Sequence, residues 1–388
     1  MDYEEVANIA NLPEGSYQIV QVQGTSIILF HYDGEVTALA NKCLHKSGPL
    51  GKGVVKETAE GRFITCPWHG WEYNIKTGKA PAGFQDQQAV YDVQVKDDGK
   101  IWVSTEPSIE GLMVAHAENP LADLEELRYQ TTPTSLNILG ISCTNMNKEL
   151  PRYSTSEAAL EQALEMAQQD FGAETQLIRL RDLDFRPCEG YYSLHEEACT
   201  WPCSISEMDK EEDGMVQVYR AMILWADIVI IATPIRWGNA SSLYYKMVER
   251  LNCVQNQITL FDKILIKNKV VGFIITGGQD NIQHVAGQMC WFFTDLGFII
   301  PPFSFLGWSR GWIAEDMEQN TETFKTSGYI KRSLTQLIQN SVNLSQQIKH
   351  IDREHMHTSL PNIAEAPSKG HYSEGMFIEG AKEEQDGE

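Results

Sequence analysis

The sequence predicts two folded parts in series: an all-β domain, then an α/β domain built on a doubly wound, five-stranded parallel sheet. Three observations predict it. At 388 residues the chain exceeds one typical domain. Its opening third holds short apolar or alternating runs separated by glycines, the pattern of antiparallel strands. From residue 135 onward apolar strands alternate with helical apolar patterns, which predicts a parallel sheet. The expected divisions are a first domain at 1–105, a linker at 106–134, a second domain at 135–350 and an acidic, disordered tail at 351–388.

In the first domain Tyr17-Gln18-Ile19-Val20-Gln21-Val22 and Ser26-Ile27-Ile28-Leu29-Phe30 flank Gly24 and read as paired strands. Two short loops follow, Cys43-Leu44-His45 and Cys66-Pro67-Trp68-His69. Two thiolates and two imidazoles are the mixed set a Rieske [2Fe-2S] cluster needs, with soft anionic sulfur on one iron and neutral nitrogen on the other. A Cys2His2 zinc site uses the same ligands, but zinc modules usually pair Cys with Cys and His with His. Here each pair is mixed, so Cys43, His45, Cys66 and His69 are predicted to hold the cluster. Ile101-Trp102-Val103-Ser104 is the expected last strand of this domain.

With Gly48-Pro49-Leu50, Gly70-Trp71-Glu72-Tyr73, Thr77-Gly78 and Pro81 beside those ligands, the first domain resembles the Rieske ferredoxin family. Rieske proteins of quinol-oxidising complexes are similar but add a disulfide-forming cysteine to each loop and a serine that hydrogen-bonds a cluster sulfur. Here Lys46-Ser47-Gly48 and Trp68 leave no such cysteines, and Trp71 stands where the serine would be. The resemblance therefore implies few hydrogen bonds to the sulfurs and a potential toward the low end of the Rieske range, roughly −150 mV. It also implies exposed His45 and His69 imidazoles that pass electrons out.

Composition narrows the function classes. A net charge of −22 disfavours nucleic acid, whose phosphates need clustered Lys and Arg. No uninterrupted apolar run reaches the length of a membrane span; the stretch at 223–231 is broken by Asp227. The acidic start, Met1-Asp2-Tyr3-Glu4-Glu5, lacks a signal-peptide pattern, so a cytoplasmic location is expected. The eight cysteines are too unevenly spaced for a secreted disulfide framework.

In the second domain residues 135–142 form the expected first strand. A helix follows from about residue 156, with Ala159, Leu160, Ala163, Leu164 and Ala167 on its apolar face. Strands are expected at 176–180, 227–233, 269–276 and 298–300, and helices at 216–224, 241–251, 284–296 and 329–349. The absence of Gly-x-Gly-x-x-Gly favours a flavodoxin-like sheet over a dinucleotide-binding one. Three segments follow strand ends, the ligand-binding edge of such sheets. Ser142, Thr144, Ser154, Thr155 and Ser156 offer hydroxyls and amides at a helix start, suited to a phosphate. Thr233, Pro234, Ile235, Arg236, Trp237, Gly238 and Asn239 form an aromatic turn, and Thr276, Gly277, Gly278 and Gln279 allow close backbone approach.

In this order the three segments, with Lys246-Met247-Val248-Glu249-Arg250 downstream, resemble the NAD(P)H-dependent FMN reductases and iron–sulfur flavoproteins. The resemblance implies FMN with its phosphate at Thr144 and Ser154–Ser156, its ring along the Ile235–Gly238 turn, and its opposite edge at the Thr-Gly-Gly loop. Met146 stands where the family often has a basic residue; Lys148 or Arg152 would supply that charge. Iron–sulfur flavoproteins also place four closely spaced cysteines in this region, whereas here Cys188, Cys199 and Cys203 are three at wider spacing and read as buried or incidental thiols, with a cubane completed by a non-cysteine ligand or a redox-active pair as the alternatives. The histidines at 350, 355 and 357, with Asp352, could suggest a mononuclear iron, but a solvated helix end is the simpler reading.

The expected function is an oxidoreductase that passes electrons from NAD(P)H through FMN to the [2Fe-2S] cluster and on to an unidentified acceptor, a small molecule or redox protein. No acid or base is assigned, because hydride transfer is the cofactors' own chemistry. The resemblance implies a homo-oligomer, a dimer or tetramer. The alternative is a ferredoxin-like component that carries electrons from a separate reductase to an oxygenase.

Overall fold

The computed structural model describes residues 2–114, 121, 135–277, 281–310 and 320–349. Gly278 and Gln279, the histidine group at 350–357 and the acidic tail lie outside the described residues.

The first domain consists of three small antiparallel sheets. One joins β1 (Tyr3–Asn8), β10 (Lys100–Ser104) and β9 (Val93–Val95). A second orders β2 (Ser16–Val22), β3 (Thr25–Tyr32), β4 (Glu35–Ala40) and β8 (Val90–Tyr91). The third pairs β5 (Val54–Thr58), β6 (Gly61–Thr65) and β7 (Glu72–Asn74). The β2–β3 hairpin predicted around Gly24 is present in register from Ser16↔His31 to Val22↔Thr25. β3 feeds both faces of its sheet: Ile28 and Phe30 pack under the ligand loops, while Ile27 and Leu29 pack against Ile101 and Val103. Alternation on a strand buried on both sides supplies two small cores from one segment. The beginning of the expected linker stays on this domain, where Ile109 bridges Val90 and Leu112 bridges Gln87.

The second domain has the parallel order β12 (Glu174–Arg179), β11 (Asn137–Ser142), β13 (Ile228–Pro234), β14 (Val270–Gly277), β15 (Phe305–Ser309). Numbered within the domain this is 2-1-3-4-5, the flavodoxin-like order, whose switch point lies between β11 and β13. Alternate residues of the central strands face opposite layers. Ile138, Ile228 and Ile230 pack with α1 (Thr155–Phe171) and α7 (Gly328–Ile348). Leu139, Ile141, Val229 and Ile231 pack with α3 (Met215–Tyr219), α4 (Ser242–Arg250), α5 (Asn252–Phe261) and α6 (Ile282–Asp295). Gly140 lets α1 sit close, since a Cβ there would come within 2.8 Å of Leu164 Cδ1.

One strand differs from the sequence reading. Residues 298–300 make only an isolated bridge, Ile299 to Val270, and the fifth strand is Phe305–Ser309. Pro301 and Pro302 follow at once and have no N–H to give a ladder, so pairing resumes only beyond them. Between β12 and α3, where no element was predicted, residues 180–214 make short 3-10 turns and the helix α2 (Ser204–Asp209). This excursion reaches across to the first domain.

Candidate functional site

The two ligand loops of the first domain are built alike. Ser47 N–H donates to Cys43 C=O at 2.9 Å, and Gly70 N–H donates to Cys66 C=O at 3.0 Å. Cys43 N–H reaches Gly48 C=O, as Cys66 N–H reaches Trp71 C=O. Each turn closes through a left-handed residue, Ser47 at φ 64° and Gly70 at φ 75°. Gly48 is needed for the close approach of the loops, because a Cβ there would meet Cys66 Sγ at 2.8 Å.

These loops bring the four predicted ligands together. His45 Nδ1 and His69 Nδ1 are 3.1 Å apart, and both thiols are buried. Cys66 is lowered to about 7, first by a hydrogen bond from the Cys43 thiol and then by the Trp68 and His69 amides, which outweigh burial. Cys43 is pushed up by sharing that proton and by burial. Burial, then the neighbouring His45, lowers His69 to about 3 and leaves it a neutral imidazole, the ligating form. Two thiols and two inward-facing Nδ1 atoms fit a Rieske [2Fe-2S] centre. Tyr73 Oη sits 3.7 Å from Cys43 Sγ, a hydroxyl neighbour of one ligand sulfur. Trp71, in place of the serine, stacks on His45 with centroids 4.0 Å apart.

The expected exposure of the histidines is overturned. His45 is 3% and His69 6% exposed, because the 180–214 excursion lies over them. His69 Nε2 is 2.7 Å from the Ala198 carbonyl, and His45 Nε2 is 2.7 Å from Glu207 Oε2. Lys46 Nζ donates to the carbonyls of Thr200 at 2.6 Å and Pro202 at 2.5 Å. His195 stacks on Trp68, and Tyr191 meets His69 edge-on. Ala198 and Tyr191 thereby join the apolar cluster beneath the ligand loops.

At the strand ends of the second domain, Thr144, Ser154 and Ser156 form a triangle of hydroxyls with sides of 3.0, 3.0 and 3.1 Å. It stands at the N-terminus of α1, where Ser154 caps Glu157 N–H and Thr155 begins the helix. Hydroxyls and a helix start suit a phosphate. Ser142 is buried and donates to Glu157 Oε2 at 2.7 Å, so it braces the loop from inside. Burial would raise Glu157, but hydrogen bonds from Arg181, Ser142 and Arg179 hold it at about 2. Thr233 is likewise internal, accepting from Ser241 N–H at 3.0 Å. Pro234 ends β13, and Ile235 lies buried against Gly277, where a Cβ would meet Ile235 Cβ at 2.8 Å. Arg236 and Asn239 exchange backbone hydrogen bonds around Trp237, which is 92% exposed, and Gly238. Asn281 Nδ2 ties Gly238 C=O at 2.5 Å. An exposed aromatic turn and a phosphate-type cradle that follow the ends of the paired strands β11 and β13 suit a flavin. Ile235 N–H donates to Thr276 C=O, which holds the second and third segments together.

The sequence reading missed a fourth thiol. Cys188, Cys199 and Cys203 meet Cys253 of α5 around one narrow pocket with room for about a single water molecule. Ser204 Oγ and Arg250 Nε border the same cavity, buried and without hydrogen-bond partners. Cys203 is lowered to about 5 by a hydrogen bond from Cys253 and by the Arg250 charge, against burial. The thiols ring the cavity; among the described residues no three His, Cys, Asp or Glu side chains are placed to hold a single metal ion. Fifty residues separate Cys253 from Cys203, so spacing carried no signal.

Site and fold thus define a two-domain redox protein, one part built for a histidine-ligated iron–sulfur centre and the other for a flavin. Residues 2–93 match the Rieske [2Fe-2S] domain family and residues 136–312 the NADPH-dependent FMN reductase family. The chain belongs to the Rieske [2Fe-2S] proteins through its first domain, and its second domain is similar to the NADPH-dependent FMN reductases. The cofactors of these families are a [2Fe-2S] cluster and FMN, with NAD(P)H as donor. The first domain is 34% identical over 102 residues to the ferredoxin subunit of 3-phenylpropionate/cinnamic acid dioxygenase of Photorhabdus laumondii subsp. laumondii. That match spans 26% of this chain and 90% of the relative. The chain is also 27% identical over 158 residues to 8-demethyl-8-aminoriboflavin-5'-phosphate synthase of Streptomyces davaonensis, spanning 41% of this chain and 58% of that protein. The solved structure of RosB with bound 8-demethyl-8-formylriboflavin-5'-phosphate aligns with a TM-score of 0.44 at 20% identity, covering 55% of this chain and 81% of that one. No helix among the described residues is long and apolar enough to cross a membrane.

Proposed function

We propose that the protein is an NAD(P)H oxidoreductase in which electrons from NAD(P)H pass by way of FMN to the Rieske centre held by Cys43, His45, Cys66 and His69, and on to an acceptor. FMN supplies the step from a two-electron hydride to single electrons, which a [2Fe-2S] cluster needs. Thr144, Ser154 and Ser156 bind the phosphate, and Arg236, Trp237, Gly238 and Asn239 flank the ring. The observation that carries the reading is the contact of the flavin domain with both Rieske histidines, each through Nε2 at 2.7 Å. Buried under that contact, the histidines serve as the inlet from the flavin domain rather than the outlet. A ferredoxin-like carrier would need them at the surface for a partner protein, so the burial speaks against that alternative.

The four-thiol cavity adds a further part to this reading. Four cysteines are the donor set of a [4Fe-4S] centre, which would require the thiols to spread from the narrow pocket they now line, and the unpartnered Ser204 Oγ and Arg250 Nε favour an occupant. The segment bearing Cys199 and Cys203 is the one that touches His69 and His45, which would place this centre beside the Rieske ligands.

An anaerobic titration with NADH and with NADPH, followed by flavin absorbance and by EPR of the reduced cluster, tests the proposal. Flavin bleaching followed by the Rieske signal is expected. A cluster that stays oxidised beside fully reduced flavin would overturn the path.

A further inference from the structure

A neutral imidazole has one N–H. With the Nδ1 atoms of His45 and His69 facing each other at 3.1 Å, the ring protons of the ligating forms belong on Nε2. The two Nε2–H groups meet unlike acceptors. That of His69 donates to a neutral carbonyl, Ala198, whereas that of His45 donates to the Glu207 carboxylate. The His45 and Glu207 side chains are each 1% exposed, so water does not screen the charge. A carboxylate behind a ligand imidazole makes the ligand more basic and adds negative charge near the metal. Both effects favour the oxidised, more positive cluster. An opposing charge is close by: Lys46 Nζ lies 3.7 Å from the same Glu207 oxygen, fixed by the carbonyls of Thr200 and Pro202.

We propose that Glu207, a residue of the flavin domain, is a positioning residue that lowers the reduction potential of the Rieske centre through His45, and that Lys46 limits the effect. The inference rests on the assignment of the cluster ligands but on no particular electron donor or acceptor. It makes the potential a property of the assembled two-domain protein, and it makes the two ligand histidines inequivalent.

The test is a mediated, dithionite-driven potential titration of the full-length holoprotein, read by EPR without NAD(P)H. Glu207→Gln keeps an acceptor of the same shape and removes the charge, and the midpoint should move upward. Lys46→Gln removes the opposing charge, and the midpoint should move downward. A purely structural role would loosen the same interface in both variants and shift them in one direction. Glu207→Asp, which keeps the charge at a longer reach, should shift less than Glu207→Gln and serves if the latter fails to retain iron. Unchanged midpoints, or shifts of the same sign in the Glu207→Gln and Lys46→Gln proteins, would overturn the proposal. Absence of any Rieske signal from the wild-type holoprotein would instead sink the ligand assignment, so the two failures are distinguishable.

Discussion

His45 and Glu207 are 162 residues apart in sequence, yet their side chains meet at 2.7 Å with almost no exposed surface. The contact joins a ligand loop of the Rieske domain to α2 of the flavin domain, so the two ligand histidines are covered by the second domain. Lys46, Trp68 and His69 make parallel contacts to the same segment. This shared interface frames the expected behaviour of variants.

Replacing a ligand should separate the two redox centres. His69→Ala removes one imidazole, and the rhombic EPR signal of the reduced cluster should disappear. Flavin content and flavin bleaching by NAD(P)H should remain within about twofold of wild type, since the proposed FMN contacts lie on other strands. Loss of bleaching together with the cluster would contradict that separation.

The hydroxyl triangle gives a second expectation. Ser156 is buried and within 3.0–3.1 Å of Thr144 and Ser154. Ser156→Ala should weaken FMN binding roughly 10- to 100-fold, the cost of one hydrogen bond to a charged group. Flavin fluorescence on titration of the apoprotein measures it; an unchanged affinity would exclude Ser156 from the phosphate site.

Cys253 offers a count. If its cavity holds a cubane, Cys253→Ser should lower iron by about four per chain and leave the Rieske EPR signal in place. Wild-type protein with iron for the Rieske centre alone, after anaerobic purification, would show the four thiols to be structural.

Glu157 links the phosphate cradle to acid stability. Its folded pKa of about 2 is below its ordinary 4.5, because Arg181, Ser142 and Arg179 stabilise the carboxylate despite burial. A depressed carboxylate stabilises the fold above its unfolded pKa, and that contribution fades as pH falls from 4.5 through about 2. At neutral pH Glu157→Gln should cost about 2 kcal/mol, between the values for exposed and buried ion pairs, since it leaves partly buried arginines without their anion. The gap in Tm between wild type and variant should narrow as the pH drops below 4.5; a constant gap would rule out the carboxylate as its source.

Much of this protein is written locally. Cys43 and His45, like Cys66 and His69, lie within single turns, so chemistry and spacing are legible in a few residues. The parallel sheet is equally legible, because β11, β13 and β14 are buried on both faces and read as continuous apolar runs. The displaced fifth strand was less so, since Phe298 and Ile300 carry the right side chains but two prolines halt the ladder behind them. What only the tertiary structure decided is what lies across from each local motif. Cys253 joins three distant thiols because α5 packs against the 180–214 excursion, and Glu207 and Ala198 cover the histidines because that excursion docks on another domain. Local spacing fixes which donor atoms a loop can present. Burial and charge around them come from long-range packing, whose partners leave no periodic trace in the chain.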